Sequence, residues 1–192
     1  MKYTVFDTPV VRPVLRGIAL AFLKIMGFRV EGQTPDVPKY VAIVAPHTSN
    51  WDFVILLAMA FVLRVNARWF GKHTLFRWPF HGLFRWFGGV PIDRGKSVSV
   101  VSQYIQAFDA HERFVLALAP EGTRKKVVAW KKGFYHIAVG ANAPVALVYL
   151  DYKRKAGGFG PLFSPTGDLD ADMQTIKEFY AAVTAKYPDQ AG

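Results

Sequence analysis

YVAIVAPHTSNWDFVILLAMAFVL, residues 40–63, joins two apolar runs of different kinds through a short polar cluster. The first run, YVAIVA at 40–45, is short and rich in β-branched residues, which suits a strand buried on both faces. The second is long enough for a buried helix, and Ser49 or Asn50 would cap its start, with the helix running to about Val65. Between them lie His47 and Asp52, five positions apart. On one ideal helix that spacing is a rotation of about 140°, so the two could not face one ligand. They meet if His47 stays on the loop and Asp52 takes the first helical turn. Asp52 then accepts from one imidazole nitrogen and leaves the other free as a base. Taken alone, the pair reads first as a loop histidine beside an aspartate that caps a helix, and only its company favours the base.

The same alternation continues outward. ARWFGK (67–72), RFVLALAP (113–120) and APVALVYLDY (143–152) read as strands. Helical patterns fall at 74–87, where Phe76, Phe80, Phe84 and Phe87 share a face despite Pro79 and Gly82. Others follow Ser97, with Val98, Val101, Ile105 and Phe108 aligned, and cover KKGFYHIAVGAN. GGVPIDRGK reads as a loop, and a glycine-rich turn after residue 152, a hairpin in one reading, leads to a C-terminal helix over 168–187. There Met173, Ile176, Tyr180 and Val183 face inward, and Asp170 and Asp172 suit the helix dipole. The fold class is α/β: a single domain over 1–192, its mostly parallel central sheet flanked by helices. Ligands in such sheets gather beyond the carboxyl ends of the strands, which places residues 46–52, 120–124 and those after Gly71 around one site.

The first thirty residues form a separate case. VVRPVLRGIALAFLKIMGF holds no uncharged run longer than Gly17–Leu23, too short for the about 20 residues of a spanning helix. Arg12, Arg16 and Lys24 fall within an arc of roughly 120°, with Val14, Ile18, Phe22, Ile25 and Met26 on the other side. Two readings stand: an amphipathic helix lying in the membrane interface, or a surface helix packed on the core. The rest of the chain favours the first, a peripheral protein on the cytoplasmic face of a membrane.

Composition narrows the chemistry. Lys and Arg number 24 against 14 Asp and Glu, a net charge of +10, which implies an anionic partner. Cysteine is absent, which excludes disulfides, thiolate metal sites and a cysteine nucleophile and fits a cytoplasmic setting. No G-x-S-x-G elbow occurs, so a base without a protein nucleophile points to a hydroxyl on a bound substrate. Residues 64–96 carry seven Lys or Arg, one acid and eight Phe or Trp, a composition that single-stranded nucleic-acid binders share. No recognisable nucleic-acid signature accompanies it.

HTSNWD, GGVPIDR, PEGTR and APVALVYL, in this order, resemble the four motif blocks of the glycerophospholipid acyltransferase family. Its best-known members are the lysophosphatidic acid acyltransferases. The resemblance covers residues 40–152, and GKHTLFRWPFHGLFRWFGG adds to it. It implies that His47, oriented by Asp52, deprotonates an acceptor hydroxyl that attacks an acyl thioester with no covalent acyl-enzyme. It implies that Arg94 binds phosphate and that Glu121, Gly122, Thr123 and Arg124 bind the acceptor. From the residues alone, Glu121 either holds its loop or touches the acceptor. Pro144 falls in the fourth block, which helps form the acyl or donor site. The donor would be acyl-coenzyme A or acyl carrier protein, and the acceptor a lyso-lipid, 1-acylglycerol-3-phosphate first among them. No metal, cofactor or nucleic acid is expected. The chain departs from the family pattern at Pro46, Pro91, Ala119 and Lys125, positions that surround the acceptor rather than carry the catalytic groups.

Overall fold

The structure, a computed structural model, describes residues 4–92 and 99–192. Strands β1 (Arg29–Glu31), β2 (Lys39–Ala45), β3 (Ala67–Lys72), β4 (Gly89–Ile92), β5 (Phe114–Leu118), β6 (Val145–Asp151) and β7 (Ala156–Phe163) form one sheet. Their spatial order is β1-β7-β6-β2-β5-β3-β4. β6, β2, β5, β3 and β4 run parallel, and the hairpin from β6 to β7 reverses direction, with β1 parallel to β7. YVAIVA lies inside β2, near the centre of the sheet, where every residue but Val44 is buried. That position explains its unbroken apolar run.

The two faces of the sheet are packed differently. One is covered by helices α4 (Val100–Asp109), α5 (Gly133–Gly140) and α6 (Leu169–Ala181). There, large side chains interdigitate: Ile43, Leu116 and Leu147 from the strands against Phe108, Phe134 and Ile176 from the helices. On the other face α2 (Asn50–Leu63) lies against the sheet and α1 (Val11–Met26) packs on α2. Here the strands present small residues between two large ones, Tyr40 and Phe159. Ala117, Ala42 and Ala146 stand opposite one another on β5, β2 and β6. Short side chains do not reach across to α2, and the space beneath the helix is not filled.

Several sequence expectations give way. GGVPIDRGK begins not as a loop but as edge strand β4, where the partner β3 supplies the ladder and Pro91 is tolerated. Arg94 and Ser97 lie outside the described residues, and Ser99 caps α4 instead. The glycine-rich stretch after β6 is itself β7. A Cβ at Gly158 would sit 2.0 Å from the Glu31 carbonyl oxygen, so glycine is what lets β1 approach. Residues 74–87 do not form one helix. A 3-10 turn (His73–Phe76) and a six-residue helix, α3 (His81–Trp86), flank Pro79. Phe76 and Phe84 pack on Trp69, but Phe80 is exposed, so the four phenylalanines share no face. Trp69 and Trp86 donate their indole N–H groups to the Phe87 carbonyl and Thr8 hydroxyl, which ties these rings into the fold rather than leaving them open for base stacking. The C-terminal helix stops at Ala181 because the following segment is held elsewhere: Thr184 accepts from the Tyr152 amide, and the Tyr187 amide donates to Thr48. Asp170 and Asp172 do stand in the first turn of that helix, and Asp172 is in addition buried, accepting from the Tyr135 hydroxyl and from Thr166.

α1 buries only part of its apolar surface. Ala19 and Leu23 are buried, with Phe22 and Met26 packed beside them, while Val14, Ile18 and Ile25 face outward. Among the described residues no helix is long and apolar enough to cross a membrane.

Candidate active site

The site is built at the carboxyl end of β2. After Ala45 the chain leaves the sheet, and Ser49, in extended backbone, caps α2 by accepting from the Trp51 amide at 3.2 Å. Asp52 is the third helical residue and completes a capping box, accepting from the Ser49 amide at 2.8 Å. The same oxygen accepts from the Thr48 amide at 2.8 Å and from His47 Nδ1 at 3.1 Å. The helix boundary therefore falls between the two residues, and one carboxylate both caps the helix and orients the imidazole. Because Asp52 accepts there, Nδ1 carries the proton, and Nε2 keeps its lone pair. Among the described residues Nε2 has no hydrogen-bond partner, and the His47 side chain is 24% exposed.

Two further groups complete this arrangement: Tyr152, which no motif marks, and Glu121 of the PEGTR block. The Tyr152 hydroxyl donates to the other Asp52 oxygen at 2.7 Å, from the turn after β6. Glu121, on the loop after β5, accepts from the His47 backbone amide at 2.9 Å through Oε1. Glu121 is buried, and among the described residues its Oε2 has no partner. Its carboxylate thus holds the His47 loop. Burial opposes ionisation of Asp52, but the hydrogen bonds from His47, Tyr152 and the Ser49 and Thr48 amides outweigh it and hold the carboxyl below its ordinary range. Glu121 moves the opposite way: burial raises it, and its few donors do not compensate. Burial, then the Asp52 hydrogen bond, pushes the Tyr152 phenol far up, so it remains a donor.

The remaining sequence candidates lie on the loop after β5. Gly122 has φ 65°, a left-handed conformation, and the Lys131 side chain lies 2.6 Å from where a Cβ would stand. Thr123 and Arg124 are exposed, and Thr123 accepts from the Lys125 amide. Neither forms a hydrogen bond or ion pair with His47 or Asp52 among the described residues. Lys131 is a member of this cluster that the motifs did not single out. Its amide donates to the Pro120 carbonyl, which brings its stem over Gly122.

His47 opens onto a cavity of about 450 Å³ beneath α2. Its walls are mostly apolar, with Ala42, Ala117 and Val148 from the sheet, Leu56 and Ala60 from α2, and Phe6 at the N-terminal side, and Arg68 also lines it. It is the space that Ala42 and Ala117 leave on the sheet side, and its mostly apolar lining suits a hydrocarbon rather than a polar ligand.

The Asp52 cap makes a stability prediction. With its folded pKa lowered, Asp52 contributes stabilisation that is full above its unfolded value, near 3.8, and is lost as pH falls through the folded one. Wild-type protein should exceed Asp52→Asn by about 2 kcal/mol near neutrality, the worth of charge-assisted bonds to a buried carboxylate. The gap should shrink steadily in urea unfolding below about pH 4. A gap that stays constant to low pH would contradict this role.

The family model for acyltransferases matches residues 27–150. No curated protein matches the sequence. Among solved structures, the crystal structure of the 1-acyl-sn-glycerophosphate (LPA) acyltransferase PlsC from Thermotoga maritima is similar in fold. The TM-score is 0.61 and the identity 18%, covering 92% of this chain and 82% of that one. The family match spans more than half of the sequence and takes in His47, Asp52 and the loop from Glu121 to Arg124, and the chain thus belongs to the acyltransferase family.

Proposed function

We propose that the protein transfers a fatty acyl chain from a thioester, carried by coenzyme A or acyl carrier protein, to the hydroxyl of a lysophospholipid, with 1-acylglycerol-3-phosphate the leading acceptor. The observation that carries the reading is the orientation of His47: Nδ1 fixed by Asp52, Nε2 unpaired, and an apolar cavity at its side. The acceptor hydroxyl gives its proton to Nε2 as its oxygen attacks the thioester carbonyl carbon. The C–O bond forms, the tetrahedral intermediate collapses, and the C–S bond breaks. The thiolate leaves with the proton that the imidazolium returns. The acyl chain lies in the cavity beneath α2. Arg94, Gly122, Thr123 and Arg124 bind the acceptor and its phosphate, and Lys131 adds a cation at the same loop. No metal or cofactor takes part in this scheme. α1 and the positive surface hold the protein on the anionic cytoplasmic leaflet, where both substrates partition.

Purified protein incubated with a long-chain acyl thioester and a panel of lyso-lipids should yield the diacyl product by mass spectrometry, with thiol released in equal amount. No product with any acceptor would remove the reading. Tyr152→Phe tests the support behind the base. It deletes one hydrogen bond to a buried carboxylate, so turnover should fall about tenfold with KM little changed, and the acid limb of the pH–rate profile should move. An unchanged profile would reduce Tyr152 to packing.

A further inference from the structure

We infer that the chain after α6, residues 183–187, positions the His47–Asp52 pair, with Lys186 and the Tyr187 amide as its working contacts. The inference rests on the acyl-transfer reading and adds to that site residues beyond the family match, which ends at residue 150. The Tyr187 amide donates to the Thr48 hydroxyl at 3.2 Å, and the Thr184 carbonyl accepts from the Tyr152 amide at 2.9 Å. Each of these two partners in turn donates to Asp52. The Thr48 amide reaches Oδ2 at 2.8 Å, and the Tyr152 hydroxyl reaches Oδ1 at 2.7 Å. The segment therefore touches both oxygens of the carboxylate at one remove. Thr48 and Ala185 are buried, so this link is packed rather than solvated.

Lys186 stands between the two contacts. Its Nζ lies 5.4 Å from the centroid of the Trp51 ring, 5.6 Å from that of Tyr187 and 6.0 Å from that of Tyr152. Among the described residues it forms no ion pair, so aromatic faces rather than a carboxylate receive the ammonium. Trp51 precedes Asp52 in the first turn of α2, and Tyr152 belongs to the turn after β6. One cation thus joins three segments around Asp52. Trp51 and Tyr187 are each 46% exposed, so the cluster adds little to the core and its effect is on orientation. A carboxylate meets an imidazole squarely only when the donors on its own oxygens are held in place.

Three variants test this. Lys186→Met keeps the length of the stem without the charge, Lys186→Arg keeps a cation over the rings, and Thr48→Val removes the acceptor of the Tyr187 amide while keeping its shape. Lys186→Met and Thr48→Val should each lose about fivefold in kcat with KM little changed, the effect of one modest contact behind the base. Lys186→Arg should keep most of the wild-type rate, as should Lys177→Met, which removes an exposed charge from α6. A second readout needs no turnover. Nitrogen-15 shifts of the neutral His47 ring, identified against His47→Gln, report which nitrogen bears the proton. The ratio of Nδ1- to Nε2-protonated forms should fall about fivefold in Lys186→Met and Thr48→Val, with melting temperatures within about 3 °C of wild type. Ring signals unchanged in both variants would overturn the inference, as would a lowered melting temperature with the tautomer ratio intact, which would leave the segment a packing element. Equal losses in Lys177→Met would also overturn it, by tracing the effect to diffuse charge. A tautomer shift in protein that yields no acyl product would remove the proposed reaction and leave the positioning role standing.

Discussion

His47→Ala will lower acyl transfer by about a thousandfold or more, within the range that a positioned general base supplies, while the protein remains folded. The loss should fall on kcat, because the imidazole takes the proton only as the hydroxyl attacks and contributes little to holding the ground state. The structure explains why folding should survive. The bond that ties the loop to Glu121 comes from the His47 backbone amide, not its ring. Asp52 loses one donor but keeps the Thr48 and Ser49 amides and the Tyr152 hydroxyl, so α2 retains its cap. A protein that depended on the ring for its fold would show a large drop in unfolding midpoint; this one should show a small shift. The decisive measurement is thiol release with verified transfer, compared between wild type and variant at saturating donor and acceptor. Equal rates would mean that the hydroxyl is activated by something else, and the reading built on Nε2 would fall. Donor hydrolysis without acceptor should be lost in parallel, since water would be activated by the same nitrogen.

The parts of this site that could be read from the sequence are the local ones. A small polar cluster between a β-branched run and a helical run implies a strand end, a cap and a turn, and the capping chemistry of Ser49 places Asp52 within reach of His47. Tyr152 shares the Asp52 carboxylate but stands 100 positions away. Nothing in its neighbourhood distinguishes it from a strand-end tyrosine, and only the parallel pairing of β2 with β6 brings the two ends together. Glu121 was recognised as important yet ambiguous, because a residue type does not tell which way its carboxylate points once buried. β7 is legible only through the hairpin reading, for the opposite reason. Its glycines look like a turn, and they become a strand because Glu31 and Tyr149 backbone atoms crowd both sides of the path. α1 was legible as amphipathic, but its apolar side proved to be two: Phe22 and Met26 turn towards α2, and Val14 and Ile18 turn away. Periodicity cannot separate a face covered by protein from one left exposed. The cavity beneath α2 had no sequence signal at all, since it consists of what Ala42 and Ala117, on neighbouring strands, do not fill.

That origin of the cavity yields the second large effect. Ala117→Phe places a ring in the floor of the space beneath α2, opposite Ala42 on the adjoining strand and within the walls that lead away from His47. If an acyl chain lies there, a long chain can no longer extend past residue 117, and its carbonyl is held out of line with Nε2. Misplacement of about an ångström suffices to cost about a hundredfold, so kcat/KM for long-chain thioesters should drop by that order. A donor with only a few acyl carbons ends before the obstruction and should retain most of its rate. The ratio of the two, not either rate alone, is the readout, because the added bulk also strains the packing. Overpacking of this kind costs about 1–3 kcal/mol, which a thermal melt will register and which affects both donors alike. Ala117→Ser gives the matched control: it alters the chemistry of the wall with little change in volume and should preserve chain-length preference. Long and short donors falling together in Ala117→Phe would mean that the ring damages the scaffold rather than blocks a path. Neither falling would mean that the acyl chain runs elsewhere. The cavity beneath α2 would then have to be explained without the substrate, and the alanine row would lose the functional reason given for it.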